Sequence, residues 1–158
     1  MARLQRCSSR RTLTKLKQKE ENYWTSLVVQ NGFDLWVSSA PWHRYWNPFA
    51  CDEIYAKEYQ MIKDTKKYGF ILYSQETNSS EQTYQNEVYI EFALVDFKHR
   101  KKHVLTQLFH KLRKRFPNRV IKLESRTEAI HVWKKLGFRA DPHRSSNYYN
   151  HLVYFPKI

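Results

Sequence analysis

The chain has 158 residues and a formal net charge of +13, from 28 Lys+Arg against 15 Asp+Glu. Hydrophobic residues make up 41% and aromatic ones 16%, which excludes a disordered chain and suffices for one domain with a real core. No run of about 18 apolar residues occurs, so no membrane-spanning helix is expected, and a surface this basic points to a polyanion such as nucleic acid or a phosphorylated cofactor.

Residues 1–22 read as a basic arm, with seven Lys and Arg before the first acid, Glu20, and residues 23–158 as a single domain. The arm has no apolar stretch of the kind a secretory signal carries. Cys7 and Cys51 match neither a metal spacing nor a disulfide framework. They are expected as reduced thiols in a cytoplasmic protein, with no metal centre.

Residues 23–40 read as two strands, because "SLVV" and "DLWVS" flank "QNGF" and Asn-Gly is a strong hairpin signal. "PWHRYWNPF", 41–49, is an aromatic loop bounded by prolines, either a functional loop or a plug on the core edge. Residues 51–64 carry Ile54, Tyr55, Tyr59 and Ile62 at helical spacing. "YGFILYS", 68–74, and "VYIEFALV", 88–95, are strands separated by a polar loop. A helix from Lys102 to Phe116 aligns Val104, Leu105, Leu108, Leu112 and Phe116 and stops at Pro117. "RVIKLES", 119–125, is a strand. The helix in 127–138 turns Ala129, Ile130, Trp133 and Leu136 inward and ends at Gly137, and "HLVYFPK", 151–157, is a last strand. Strand, crossover helix and strand make a βαβ unit, so the fold class is α/β, a mixed sheet with a parallel centre flanked by helices.

"VDFKHRKKHVL", 95–105, joins the strongest strand to a helix through a basic turn. Such a helix N-terminus holds phosphate on backbone N–H groups, usually with the help of glycines. This turn has none. The only glycines of the chain are Gly32, Gly69 and Gly137.

The second half resembles the GNAT superfamily of N-acetyltransferases. Its pyrophosphate loop, Q/R-x-x-G-x-G/A, falls on "RKKHVL": Arg100 matches the first position, while His103 and Leu105 stand where small residues are expected. The family's N-x-x-A-x-x-x-Y-x-x-x-G-F falls on 126–138, matching at Ala129, Gly137 and Phe138 and departing at Arg126 and Trp133. The resemblance implies a GNAT-like sheet and acetyl-CoA, or another acyl-CoA, as cofactor. It implies that Arg100, Lys101, Lys102, His103 and Val104 hold the pyrophosphate. It also implies that a backbone N–H around Leu94 and Val95 polarises the thioester carbonyl. Trp133 replaces the family's frequent acid, a Tyr, and indole does not protonate a thiolate. Either the thiolate leaves through water or one of Tyr148, Tyr149 and Tyr154, each otherwise a core or rim aromatic, substitutes, with Tyr149 taken as the candidate.

Glu91 is the candidate base, an acid in the centre of an apolar strand, either functional or held by a salt bridge. His43 is the next candidate, since histidine titrates near neutrality. His99, His103 and His110 form a ladder without a carboxylate at ligand spacing, and read as cationic surface. "WHRYW", 42–46, and "HRSSNYYNH", 143–151, interleave aromatic and basic residues, a composition that stacks bases and neutralises phosphates. Arg44, Tyr45 and Arg144 are therefore candidate nucleic-acid contacts. The expected activity is N-acylation of a nucleic acid, a DNA base or tRNA, or of an acidic protein. The alternative is a non-catalytic nucleic-acid- or partner-binding protein on the same fold. In departing from the standard loop the chain is similar to the phage Mom branch, which modifies adenine in DNA.

Overall fold

The computed structural model describes residues 18–32, 59–76, 87–144 and 150–157. Helix α1 (Gln18–Gln30) is followed by β1 (Tyr59–Lys63), β2 (Gly69–Glu76), β3 (Glu87–Val95), α2 (Val104–Arg115), β4 (Ile121–Glu124), α3 (Ile130–Lys135), β5 (Arg139–Ala140) and β6 (His151–Tyr154). The sheet order is β1-β2-β3-β4-β6-β5, and β3–β4 is its one parallel pair, the others being antiparallel. This is the mixed α/β sheet with a parallel centre that the pattern predicts.

Two expectations are corrected. The first strand of the predicted hairpin is the end of α1. Trp24, Leu27 and Val28 are buried at i, i+3 and i+4, a helical stripe that outweighs the strand propensity of Val, Tyr and Trp. Asn-Gly closes this helix instead of a hairpin. Asn31 Nδ2 donates to the Leu27 carbonyl at 2.8 Å, Gly32 N–H donates to Val29 at 3.0 Å, and Gly32 takes φ +91°, the left-handed setting of a helix-terminating glycine. The "DLWVS" strand lies outside the described residues. The second correction is the end of the 51–64 helix: Tyr59–Lys63 is β1, paired with β2 from Tyr59↔Ser74 to Lys63↔Phe70. The rest of that helix lies outside the described residues.

The remaining elements follow the sequence. Val104, Leu108 and Leu112 of α2 are buried, and so is Phe109, which the stripe omits. Trp133 of α3 is buried, with Ala129, Ile130 and Leu136 packed at the margin, and Gly137 ends the helix at φ +105°. α2 and α3 pack side by side on one face of the sheet. Phe109 lies 6.5 Å from Trp133, 5.1 Å from Phe138 and 5.3 Å from Tyr154, ring to ring. The opposite face receives α1, where Trp24 meets Phe70 and Phe70 stacks on Phe92.

One irregularity lets β3 serve both faces. Leu72 pairs with Phe92 but Tyr73 pairs with Ile90, so Glu91 is the extra residue of a β-bulge. Before it, Val88 and Ile90 face α2. After it, Ala93 and Val95 do, while Phe92 turns toward α1.

Candidate active site

The parallel ladder between β3 and β4 is short: Val88↔Ile121, Tyr89↔Lys122 and Ile90↔Leu123. Beyond Ile90, β3 continues to Val95 on β2 alone, so the two central strands part and the β4-facing edge of β3 is left open. Backbone N–H direction alternates along a strand. The Val88 N–H donates toward β4, to Val120 at 2.9 Å, and the Asp96 N–H donates toward β2, to Tyr68 at 2.7 Å. With the bulge between them, the N–H groups of Ala93 and Val95 point into the opening and that of Leu94 toward β2.

Past Val95 comes the turn. Phe97–His99 form a 3-10 turn, Arg100 is extended, Lys101 has φ +67°, and His103 has φ +59° and ψ +22° as the N-cap of α2. His103, on the position where the resemblance places a glycine, thus keeps the left-handed backbone without one. Histidine is among the residues that tolerate it best. Gln107 N–H is the first to close a helical turn, onto His103 O at 3.0 Å. The N–H groups of Val104, Leu105 and Thr106 have no intrahelical acceptor, which is the geometry that receives an anion. The Arg100 Nε donates to the Val95 carbonyl at 3.3 Å, so this side chain ties the turn to the end of β3. Lys101, Lys102 and His103 are exposed around the helix start.

The strain is held by a clamp below the turn. Asn31 receives the Phe97 N–H on Oδ1 at 2.9 Å and donates from Nδ2 to Asp96 Oδ1 at 3.3 Å. The His99 ring stacks flat on Tyr68 at 3.5 Å with Nε2 3.8 Å from Asp96 Oδ2. Three segments far apart in sequence therefore over-determine the turn. A left-handed non-glycine residue costs roughly 1–2 kcal/mol. His103→Gly is expected to keep or raise the melting temperature, and His103→Val, β-branched, to lower it by about 2–4 °C per kcal/mol lost, measured by thermal unfolding.

Glu91 and Glu124 are the first residues of β3 and β4 beyond the last rung between them. Glu91 is half-buried, and its Oε1 accepts from Ser74 Oγ at 3.3 Å. Glu124 lies opposite His151 in the β4–β6 register, with Oε1 4.0 Å from His151 Nε2 and 3.3 Å from Asn150 Nδ2. Burial pushes the His151 imidazole below its usual value. Glu124 pulls it partly back, and Arg144 and Lys122 push it down again. Sequence reasoning missed both Glu124 and His151. The signal was present only as alternation: Lys122 and Glu124 share one face of β4 while Ile121 and Leu123 fill the core.

Other candidates are not brought together here. Trp133 is locked edge-on between Phe109 and Phe138. Tyr154 pairs with Ile121, at the end of β4 away from the opening, with its hydroxyl buried and, among the described residues, without a hydrogen-bond partner. It is thereby removed as a substitute acid. His43, Arg44, Tyr45, Tyr148 and Tyr149 lie outside the described residues. Arg144 is exposed, following a turn in which its N–H donates to Asp141 O at 3.1 Å. Among the described residues no group of three or more His, Cys, Asp or Glu is placed to hold a metal, and no helix is long and apolar enough to cross a membrane.

Solved structures with this layout are numerous. A structure described as an acetyltransferase of the GNAT family, from Desulfovibrio desulfuricans, matches at TM-score 0.56 and 11% identity, over 89% of this chain and 93% of its own. An aminoglycoside 6'-N-acetyltransferase complexed with coenzyme A matches at 0.54 and 13%, over 89% and 90%. The ribosomal-protein-S18-alanine N-acetyltransferase from Escherichia coli matches at 0.50 and 14%, over 92% and 93%. At such identities these likenesses speak for the fold alone, and no curated protein sequence matches significantly. The family model "Acetyltransferase (GNAT) family" matches residues 17–138, from the start of α1 through the turn, the opening and α3. A parted β3–β4 pair leading into a phosphate-type turn is therefore accompanied by a sequence match over most of the chain, and the chain belongs to the GNAT acetyltransferase family.

Proposed function

We propose that this protein is an acyl-CoA-dependent N-acyltransferase whose cofactor turn works without glycine. The observation that carries this reading is the left-handed His103 at the head of α2, with the N–H groups of Val104, Leu105 and Thr106 open. The residues present fit acetyl-CoA. Those N–H groups and the charges of Lys101 and Lys102 would hold the pyrophosphate, and the bound group would supply an activated acetyl thioester. The Val95 N–H, directed into the opening, would donate to the thioester oxygen as negative charge develops there.

An acceptor amine must lose its proton to attack. Glu91 and the Glu124–His151 pair stand on either side of the parted strands and are the groups placed to take it. A neutral His151 suits that task at physiological pH. For the departing thiolate, Trp133 is no acid, so its proton comes from water or from Tyr149. Two carboxylates at the opening favour an acceptor nitrogen that arrives as a cation. The basic exterior favours an anionic carrier, an acidic protein or a nucleic-acid assembly, to which Arg44, Tyr45 and Arg144 would contribute.

Calorimetric titration of acetyl-CoA, with ATP as a control for diffuse attraction to the basic surface, tests this reading. One-site binding that ATP does not reproduce, weakened roughly tenfold (about 1.4 kcal/mol) by Arg100→Ala, is expected. Glu91→Gln should lower turnover far more than cofactor affinity. Binding that ATP reproduces equally would sink the proposal.

A further inference from the structure

The end of the molecule opposite the cofactor turn has a different character. α2 and α3 both run away from the opening, and β5 starts where they finish. Their ends bring Lys114, Arg115, Lys134, Lys135 and Arg139 to one pole, all exposed. Helix dipoles account for some basic residues at two helix C-termini. They do not account for the missing counter-charges. Glu87, at the start of β3, and Asp141, two residues after Arg139, are buried on Lys122, at 3.8 and 3.4 Å. Glu128 pairs with Arg126 before the start of α3. Among the described residues, no carboxylate forms an ion pair with Lys114, Lys134, Lys135 or Arg139. The Arg139 guanidinium lies over the Phe155 ring, 4.5 Å from its centre, and Arg113 lies 4.8 Å over Tyr154. A guanidinium braced on a ring keeps its fork of donors oriented, which suits phosphate oxygens better than a loose cation does.

We propose that this pole is a docking surface for the phosphate backbone of a nucleic acid, separate from the acyl-transfer site and read without base contacts. It would hold the protein on its nucleic acid while leaving the opening between β3 and β4 free. The proposal does not depend on the cofactor reading, since none of these side chains belongs to the turn.

The test is binding of the full-length protein to fluorescent random-sequence duplexes, one DNA and one RNA, as a function of salt. Two variants of equal net charge are compared. One carries Lys114→Gln, Lys134→Gln and Lys135→Gln. The other carries Lys63→Gln, Lys66→Gln and Lys67→Gln in and after β1. The polar triple is expected to weaken binding about tenfold or more and to flatten the logarithmic salt dependence by about one per lysine, while the control triple stays near wild type. The two duplexes then show which nucleic acid is preferred. Equal losses in both triples would mean diffuse attraction to net charge and overturn the proposal. So would failure to bind either duplex, or binding of phosphatidylserine vesicles in their place. Should the polar triple not fold, Lys114→Gln and Lys134→Gln singly must each flatten the slope. Acetyl-CoA binding by the same variants is expected to be unchanged, which separates failure here from failure of the catalytic reading.

Discussion

Lys122→Met is expected to destabilise the protein by about 3–5 kcal/mol, enough to remove much of a typical domain's stability. Lys122 sits in the middle of β4 with its side chain 6% exposed, between Glu87 Oε1 and Asp141 Oδ2, whose side chains are 7% and 0% exposed. Methionine fills similar volume but takes the lysine's charge away from both buried carboxylates. Asp141 is the more vulnerable. Its Oδ1 accepts the His143 N–H at 3.0 Å, whereas among the described residues Oδ2 has no hydrogen-bond partner and lies 3.4 Å from Lys122 Nζ. The triple variant Lys122→Met, Glu87→Gln, Asp141→Asn should recover most of the loss, since it removes the buried charges together. Denaturant unfolding of the single and triple variants distinguishes a charge effect from lost packing. If the triple is as unstable as the single, the charges were not the cause.

Phe109→Ala is expected to cost about 3–5 kcal/mol. Phe109 is 1% exposed and is the centre of the aromatic group, with Trp133, Phe138 and Tyr154 around it and Arg113 5.9 Å above it. It is what joins α2 to α3 and to β6. Truncation opens a cavity that three stiff rings cannot refill, so Phe109→Leu should recover a large part of the stability in the same unfolding measurement. A loss below about 1 kcal/mol for alanine would show that the rings collapse into the space.

Much of this was legible in the sequence where one period dominated. β2, β3, α2, β4, α3 and β6 appear within a few residues of their expected places, because apolar spacing and the stops at Pro117 and Gly137 agree there. Where two signals competed, the local one misled. "YWTSLVVQNG" has the residue types of a strand and the dipeptide of a hairpin. Only the burial of Trp24, Leu27 and Val28, with Trp24 against Phe70 of a distant strand, settles it as a helix with an Asn-Gly end. The turn was legible as a location but not as a conformation. Nothing in "RKKHVL" says that His103 is left-handed, because the clamp responsible runs through Asn31, Asp96 and Tyr68. Glu91 stood out as an acid in an apolar strand. Glu124 and His151 did not, since each becomes meaningful only as the partner of the other across β4 and β6.

The bulge in β3 makes Glu91 two different requirements in one residue. Its carboxylate, hydrogen-bonded to Ser74 Oγ at the opening, is a base of the proposed reaction, and another side chain there would leave the strand intact. Its backbone unit works like a base inserted into a reading frame. Every residue downstream is out of phase with every residue upstream, and the strand needs that change because Val88 and Ile90 serve one layer of the protein while Ala93 and Val95 must serve the same layer from the other parity. Substitution and deletion at this position are therefore unlike events. Losing the residue would remove the bulge and leave Phe92, Ala93 and Val95 on the faces they already occupy. Keeping the residue but pairing it regularly, without the bulge, would turn Phe92 into the layer of α2, Ala93 into that of α1, and reverse the Val95 N–H away from the opening.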